Sequence, residues 1–199
     1  MRYLIIICLS AAMLVSCGKK ADEGGPDTPS AAVDRHTNRM LATASGELIK
    51  KFGKELKTEL MSAMNEGGPG NAIGVCQVRA PEIAAANSGD FWSIRRVTDR
   101  NRNPDNLASD IEMGMMSRFE DSTGTPPEYL VAWNVTDSGK IYNYYRPIKV
   151  APLCLKCHGA AADIDDAVAA VLAEKYPDDR AIGYKEGDIR GMFVVEVRW

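Results

Sequence analysis

Histidine is nearly absent from this chain: its 199 residues include only His36 and His158. Two imidazoles leave little for histidine-based acid–base catalysis or for a histidine-rich metal site. Cysteine is sparse as well, with five at positions 8, 17, 76, 154 and 157. No basic patch is interleaved with aromatic residues and the formal net charge is −3, so nothing argues for a nucleic-acid partner. After the N-terminal run Tyr3 to Leu14, no hydrophobic stretch approaches membrane-spanning length. The chain has no internal repeat.

What is present is concentrated in Cys154-Leu155-Lys156-Cys157-His158. This C-x-x-C-H run is the sequence at which haem is attached in c-type cytochromes. Two thiols one helical turn apart add across the two vinyl groups, and the adjacent imidazole is offered to the iron. The same residues also read as half of a zinc site or as a dithiol redox pair. Zinc needs two more ligands, and beyond this run the body of the domain has only His36 and Cys76. A thioredoxin-like site needs a strand leading directly into a helix, whereas Pro147 and Pro152 precede this pair. Haem attachment through Cys154 and Cys157, with His158 as an iron ligand, is therefore expected.

The N-terminus indicates the compartment. Arg2, the apolar run Tyr3 to Leu14 and Leu14-Val15-Ser16-Cys17-Gly18 resemble a lipoprotein signal peptide (residues 1–16) cleaved before a lipidated Cys17. The alternative is an ordinary secretory signal; either form implies export. Residues 17–33, rich in Gly, Pro, Ala, Asp and Lys, read as a flexible tether. A periplasmic, lipid-anchored protein is expected, and with Lys19 and Lys20 after the cysteine and without the aspartate associated with inner-membrane retention, the resemblance favours the outer membrane. With Cys8 removed, Cys17 acylated and Cys154 and Cys157 used, only Cys76 remains, so no disulfide framework is available.

Residues 34–199 form one expected domain. Leu41, Leu48, Phe52, Leu56, Leu60 and Met64 recur at helical spacing until Gly67-Gly68-Pro69-Gly70 stops the pattern. Residues 72–78 read as a short strand carrying Cys76, and residues 80–87 as a helix with Pro81 in its first turn. Residues 91–98 alternate as a half-buried strand. After a polar turn at 101–106, a helix over 109–119 should present Ile111, Met115 and Phe119 on one face. Residues 129–136 and 140–150 read as strands joined at Asp137-Ser138-Gly139. Residues 163–175 read as a helix with Val168, Val171 and Leu172 inward, and 192–198 as a final strand. The fold class is α+β, a central antiparallel sheet with a long N-terminal helix and short flanking helices.

An ordered series of segments resembles a known family, the periplasmic c-type haem domains with a PAS-like fold, which include a cyanobacterial Photosystem II-associated cytochrome. The segments are Ala72-Ile73-Gly74-Val75-Cys76 with Ala80-Pro81, Arg95-Arg96-Val97-Thr98, and Arg102-Asn103-Pro104-Asp105-Asn106. Tyr145-Arg146-Pro147-Ile148, the C-x-x-C-H run with Gly159, Tyr176-Pro177-Asp178-Asp179 and Gly187-Asp188-Ile189-Arg190-Gly191 continue it. The resemblance covers about Met40 to the C-terminus. Thr98 and Ala108 depart from the usual serine and proline. The resemblance implies a PAS-like sheet and one covalent haem c, its iron held by His158 and by the sulfur of Cys76. From the residues alone Cys76 also reads as a small buried hydrophobe. The methionines and His36 are rival ligands.

Arg95, Arg96, Arg102 and Arg146 are candidates to pair with haem propionates, because guanidinium binds carboxylate bidentately. Adjacent strand residues face opposite ways, so Arg95 and Arg96 cannot both serve one site. An anionic thiolate ligand favours ferric iron and lowers the reduction potential. The expected function is low-potential electron transfer with a redox partner protein. The alternatives are a haem-based redox or gas sensor acting through a separate signalling partner, and a non-redox small-ligand binding module. No catalytic constellation beyond haem suggests an enzyme.

Overall fold

The computed structural model describes residues 29–121, 125–137 and 139–199. The expected signal peptide, the lipidated Cys17 and the tether up to residue 28 lie outside the described residues. The chain divides into two units, residues 1–37 and 38–199. In the first, helix begins at Pro29, within the stretch expected as tether. No helix among the described residues is long and apolar enough to cross a membrane.

Helix α1 (Pro29–Gly74) carries the expected apolar stripe, with Phe52 fully buried and Ile49 at its side. The ladder breaks at Gly67 and at Gly68, whose φ of 71° a side chain would resist. Pro69, lacking an N–H, then sits where a new helical stretch starts.

The stretch 72–78 is helical, not the strand expected. It finishes α1, enters a π-helical turn at Val75–Arg79, and runs into α2 (Ala80–Ala86). A short apolar run has the same composition in a buried helix as in a strand, and packing decides between them. Here Ala72 and Val75 pack with Ala63, while Ile73 joins Ile164, Val168, Leu172 and Tyr176. These contacts lie on opposite sides of the segment, and a helix serves both.

Strands β1 (Trp92–Val97), β2 (Leu130–Thr136), β3 (Gly139–Lys149) and β4 (Ile189–Arg198) form one antiparallel sheet in the order β1-β4-β3-β2. The fold is thus the expected α+β, a long N-terminal helix on a four-stranded antiparallel sheet. On one sheet face Ile94, Tyr142, Tyr144 and Val195 pack against Ile49 and Phe52 of α1 and Ile83 of α2. On the other, Val97, Tyr145, Met192 and Val194 meet Ala108, Met116 and Phe119. β3 and β4 shift register at Ile148/Lys149. Gly191 sits opposite Ile148 with φ 154°, and a Cβ there would collide with the Val97 carbonyl.

Helix α3 (Asp110–Glu120) matches the expected range to one residue, and of its expected inward face Phe119 is buried, Met115 is half-buried and Ile111 is exposed. Glu112, Met116 and Phe119 are buried, and Ile111 is 65% exposed. Glu112 is held in a capping box: it accepts from the Ser109 N–H at 2.9 Å while the Ser109 hydroxyl accepts from the Glu112 N–H. Glu112 also pairs with Arg95, which draws the carboxylate inward and turns Ile111 out. After β3 come the helical turn α4 (Leu155–His158) and α5 (Asp166–Lys175), whose first turn is capped by the Asp165 carboxylate.

Urea unfolding distinguishes the two faces of α3. Met116→Ala should cost about 2–5 kcal/mol, as buried truncations do. Ile111→Ala should stay within about 0.5 kcal/mol.

Candidate functional site

The chain leaves β3, turns through Pro152–Cys154 and enters α4, so Cys154 and Cys157 stand one helical turn apart with His158 beside them. Far upstream, the π-helical turn Val75–Arg79 carries Cys76. A single cavity brings these segments together. Cys76, Cys154, Cys157 and His158 all line it, and its empty volume is about 1120 Å³, counting its open mouth. Leu56, Leu60 and Met64 of α1 and Ile148 of β3 form apolar walls.

His158 is held in one tautomer. Its Nδ1 lies 2.6 Å from the Ala181 carbonyl, which can only accept, so Nδ1 carries the proton. Burial, then the charges of Arg102, Arg190 and Arg96, push its pKa down to about 3. The ring is therefore neutral at physiological pH and its Nε2 lone pair is free. The 181–184 loop is fastened to this turn: the Tyr184 N–H donates to the His158 carbonyl at 2.9 Å, and the Tyr184 ring meets the imidazole edge-on. Burial likewise pushes the Cys157 thiol up.

The cavity wall is cationic. Arg96, Arg102, Arg190 and Lys156 line it, and no carboxylate does. Arg102 is the compensated one, paired with Asp179 at 2.9 Å. Arg96 has no hydrogen-bond acceptor among the described residues, and its guanidinium lies 5.9 Å from the Phe52 ring centroid. Arg190 donates through Nη1 to the Thr98 hydroxyl and the Arg100 carbonyl, while its buried Nε has no partner. Burial pushes the pKa of both Arg96 and Arg190 down. Both are half-buried, and an anion in the cavity would offset the cost of gathering their charge there.

The expected arginines divide accordingly. Arg96 and Arg102 reach the cavity. Arg95 faces the opposite side of β1 and pairs with Glu112, as strand alternation requires. Arg146 pairs with the exposed Glu128 at 2.6 Å. Neither Arg95 nor Arg146 lines the cavity. Arg190 was not among the expected residues; its signal was the Gly187-to-Gly191 segment, where glycine lets the backbone pass close to β1. Of the methionines, Met64 lines the cavity. His36 belongs to the first unit.

The residues fit a haem group on the chemistry of the donor set. Two thiols at C-x-x-C spacing, a neutral imidazole with one free nitrogen, a further sulfur and two uncompensated guanidinium groups share one apolar cavity.

For His158 the sign of the pH dependence is fixed. Its folded pKa lies below the unfolded value of 6.5, so the unfolded chain binds the proton first as pH falls. Stability from this residue is complete above pH 6.5 and is lost on descending toward pH 3. The haem-free chain should lose on the order of 2–3 kcal/mol between pH 7 and pH 4 through His158. Denaturant titrations of wild type and His158→Phe at both pH values measure that difference.

Comparison with known proteins gives the family. The family profile described as "Tll0287-like: Tll0287" matches residues 30–198. The crystal structure of the cyanobacterial heme-protein Tll0287 superposes with a TM-score of 0.54 at 27% identity, covering 78% of this chain and 95% of that one. No curated protein matches the chain. The chain belongs to the Tll0287-like family.

Proposed function

We propose that this member of the Tll0287-like family is a haem protein, and more finely a monohaem c-type cytochrome that transfers electrons at low potential. The observation that carries the reading is the convergence of Cys76 with Cys154, Cys157 and His158 on one cavity, from segments about 80 residues apart. Support comes also from the relative described as a haem protein.

In this reading Cys154 and Cys157 hold one haem through thioethers. His158 presents Nε2 to the iron while Ala181 keeps the proton on Nδ1. Cys76, on the same cavity, would supply a second ligand through its sulfur. Arg96 and Arg190 compensate the two propionates, which removes the two uncompensated charges from the cavity wall. Leu56, Leu60 and Ile148 exclude water from the ring. The bound group supplies a one-electron iron couple, and an anionic sulfur ligand favours its ferric form.

The chain is proposed to act outside the cytoplasm, held by lipid on Cys17 at the outer membrane and served by a redox partner protein, with no enzymatic activity of its own. One observation favours a second reading, a haem-based redox or gas sensor. Cys76 sits on a π-helical turn, and such turns recur at functional sites. In that reading Cys76 would hold the haem, and the bound group would supply a site for CO or NO.

Two measurements test this. The purified, exported protein should give the spectrum of haem that organic extraction does not remove, and Cys154→Ser with Cys157→Ser should abolish that retention. Ferric Cys76→Ala should lose its sulfur-to-iron charge-transfer band, while Met64→Leu keeps it. A band that survives in Cys76→Ala and disappears in Met64→Leu assigns the ligand to Met64 instead. Reversible reduction without CO uptake supports electron transfer; CO uptake by the ferrous wild type supports sensing.

A further inference from the structure

Arg102 was expected at a propionate, but its donors are directed elsewhere. Its side chain is 8% exposed, and its Nε donates to the Asp179 carboxylate at 2.9 Å. Its Nη2 donates to the Cys157 carbonyl at 2.6 Å and reaches the Ala181 carbonyl at 3.4 Å. Asp179 uses its other oxygen to accept from the Ala181 N–H at 2.8 Å. The peptide groups of Ala181 are thus gripped on both sides by one buried ion pair. The Ala181 carbonyl is the atom that accepts the Nδ1 proton of His158 at 2.6 Å.

We propose that the Arg102–Asp179 pair is the positioning element for His158, and that it sets the donor strength of the imidazole through the Ala181 carbonyl. The inference rests on the haem reading above. A carbonyl shared with a guanidinium has less electron density to offer the imidazole N–H. The ring keeps its proton more fully and is a weaker donor from Nε2. Without Arg102 the carbonyl pulls harder on that proton, the ring gains imidazolate character, and the ferric state is favoured. Loss of the nearby positive charge acts in the same direction. Removing the Asp179 charge acts in the opposite direction, because the guanidinium is then uncompensated. An asparagine there still offers an oxygen to the Ala181 N–H.

The pair also explains the connectivity. Arg102 comes from the polar turn after β1, Cys157 and His158 from α4, and Asp179 and Ala181 from the loop after α5. A single side chain ties the three segments at the point where the imidazole is oriented. The Tyr176-Pro177-Asp178-Asp179 and Arg102-Asn103-Pro104 segments, both among those that carry the family resemblance, meet here.

The test is spectroelectrochemical titration of full-length holoprotein, with the covalent haem spectrum checked first. Arg102→Gln should move the ferric-to-ferrous equilibrium toward ferric by about tenfold, a fall of about 59 mV for one electron. Asp179→Asn should move it the other way. A merely structural role would weaken folding in both variants and would not give shifts of opposite sign. Shifts of the same sign, or none in either variant, overturn the proposal. If Arg102→Gln does not fold, Asp179→Asn decides alone, and an unchanged or lowered potential overturns it. In the haem-free chain, ring-nitrogen NMR should find the Nδ1–H tautomer of His158 in wild type and a shifted Nδ1 resonance in Asp179→Asn; an unshifted resonance also counts against it. Absence of covalent haem from wild type would instead remove the haem reading itself.

Discussion

Two guanidinium groups, Arg96 and Arg190, stand in a cavity whose wall contains no carboxylate. Everything around that cavity is consistent with this one electrostatic constraint. Unpaired positive charge gathered on a half-enclosed wall is costly, so such a wall is stabilised when something anionic occupies the space. Burial first, and then the charges of Arg102, Arg190 and Arg96, push the His158 pKa down and keep its ring neutral, the form in which imidazole binds a metal. The apolar walls from α1 and β3 strengthen the field by keeping water and its screening away.

The fold provides that cavity by bending one helix. α1 runs along one face of the sheet until Gly67 and Gly68 break its ladder. The chain then re-enters helix through Pro69 and opens into a π-helical turn at Cys76. Had residues 72–78 been a strand, they would have lengthened the sheet rather than bringing a sulfur to the cavity. On the other side, the register shift of β3 against β4 and the missing side chain at Gly191 let the backbone pass close to Val97. Arg190 enters the cavity wall next to that glycine.

Arginine roles divide by what else each guanidinium can reach. Arg95 and Arg146 find carboxylates on their own side, Glu112 and Glu128. Arg102 finds Asp179 and two carbonyls, which makes it part of the support behind His158. Arg96 and Arg190 find no carboxylate. Five side chains of one chemical type thereby acquire three different jobs, and the assignment follows from the neighbours that tertiary packing supplies.

Local chemistry alone determined a good deal. The C-x-x-C-H spacing fits a single helical turn whatever surrounds it, so Cys154, Cys157 and His158 were legible directly. The apolar stripe of α1, the Asp137-to-Gly139 hairpin and the alternation separating Arg95 from Arg96 are periodic signals, and each appeared where its period placed it. The Ser109-to-Glu112 capping box was equally present in the sequence and marked the start of α3. Residues 72–78 were not legible, because a seven-residue apolar run has no period long enough to separate helix from strand. The partners of Arg102 were not legible either: Asp179 and Ala181 lie more than 70 residues away in sequence. Which ionic groups meet is set by long-range packing, and only the tertiary structure decided that Arg96 and Arg190 face the cavity while Arg102 stands behind the histidine.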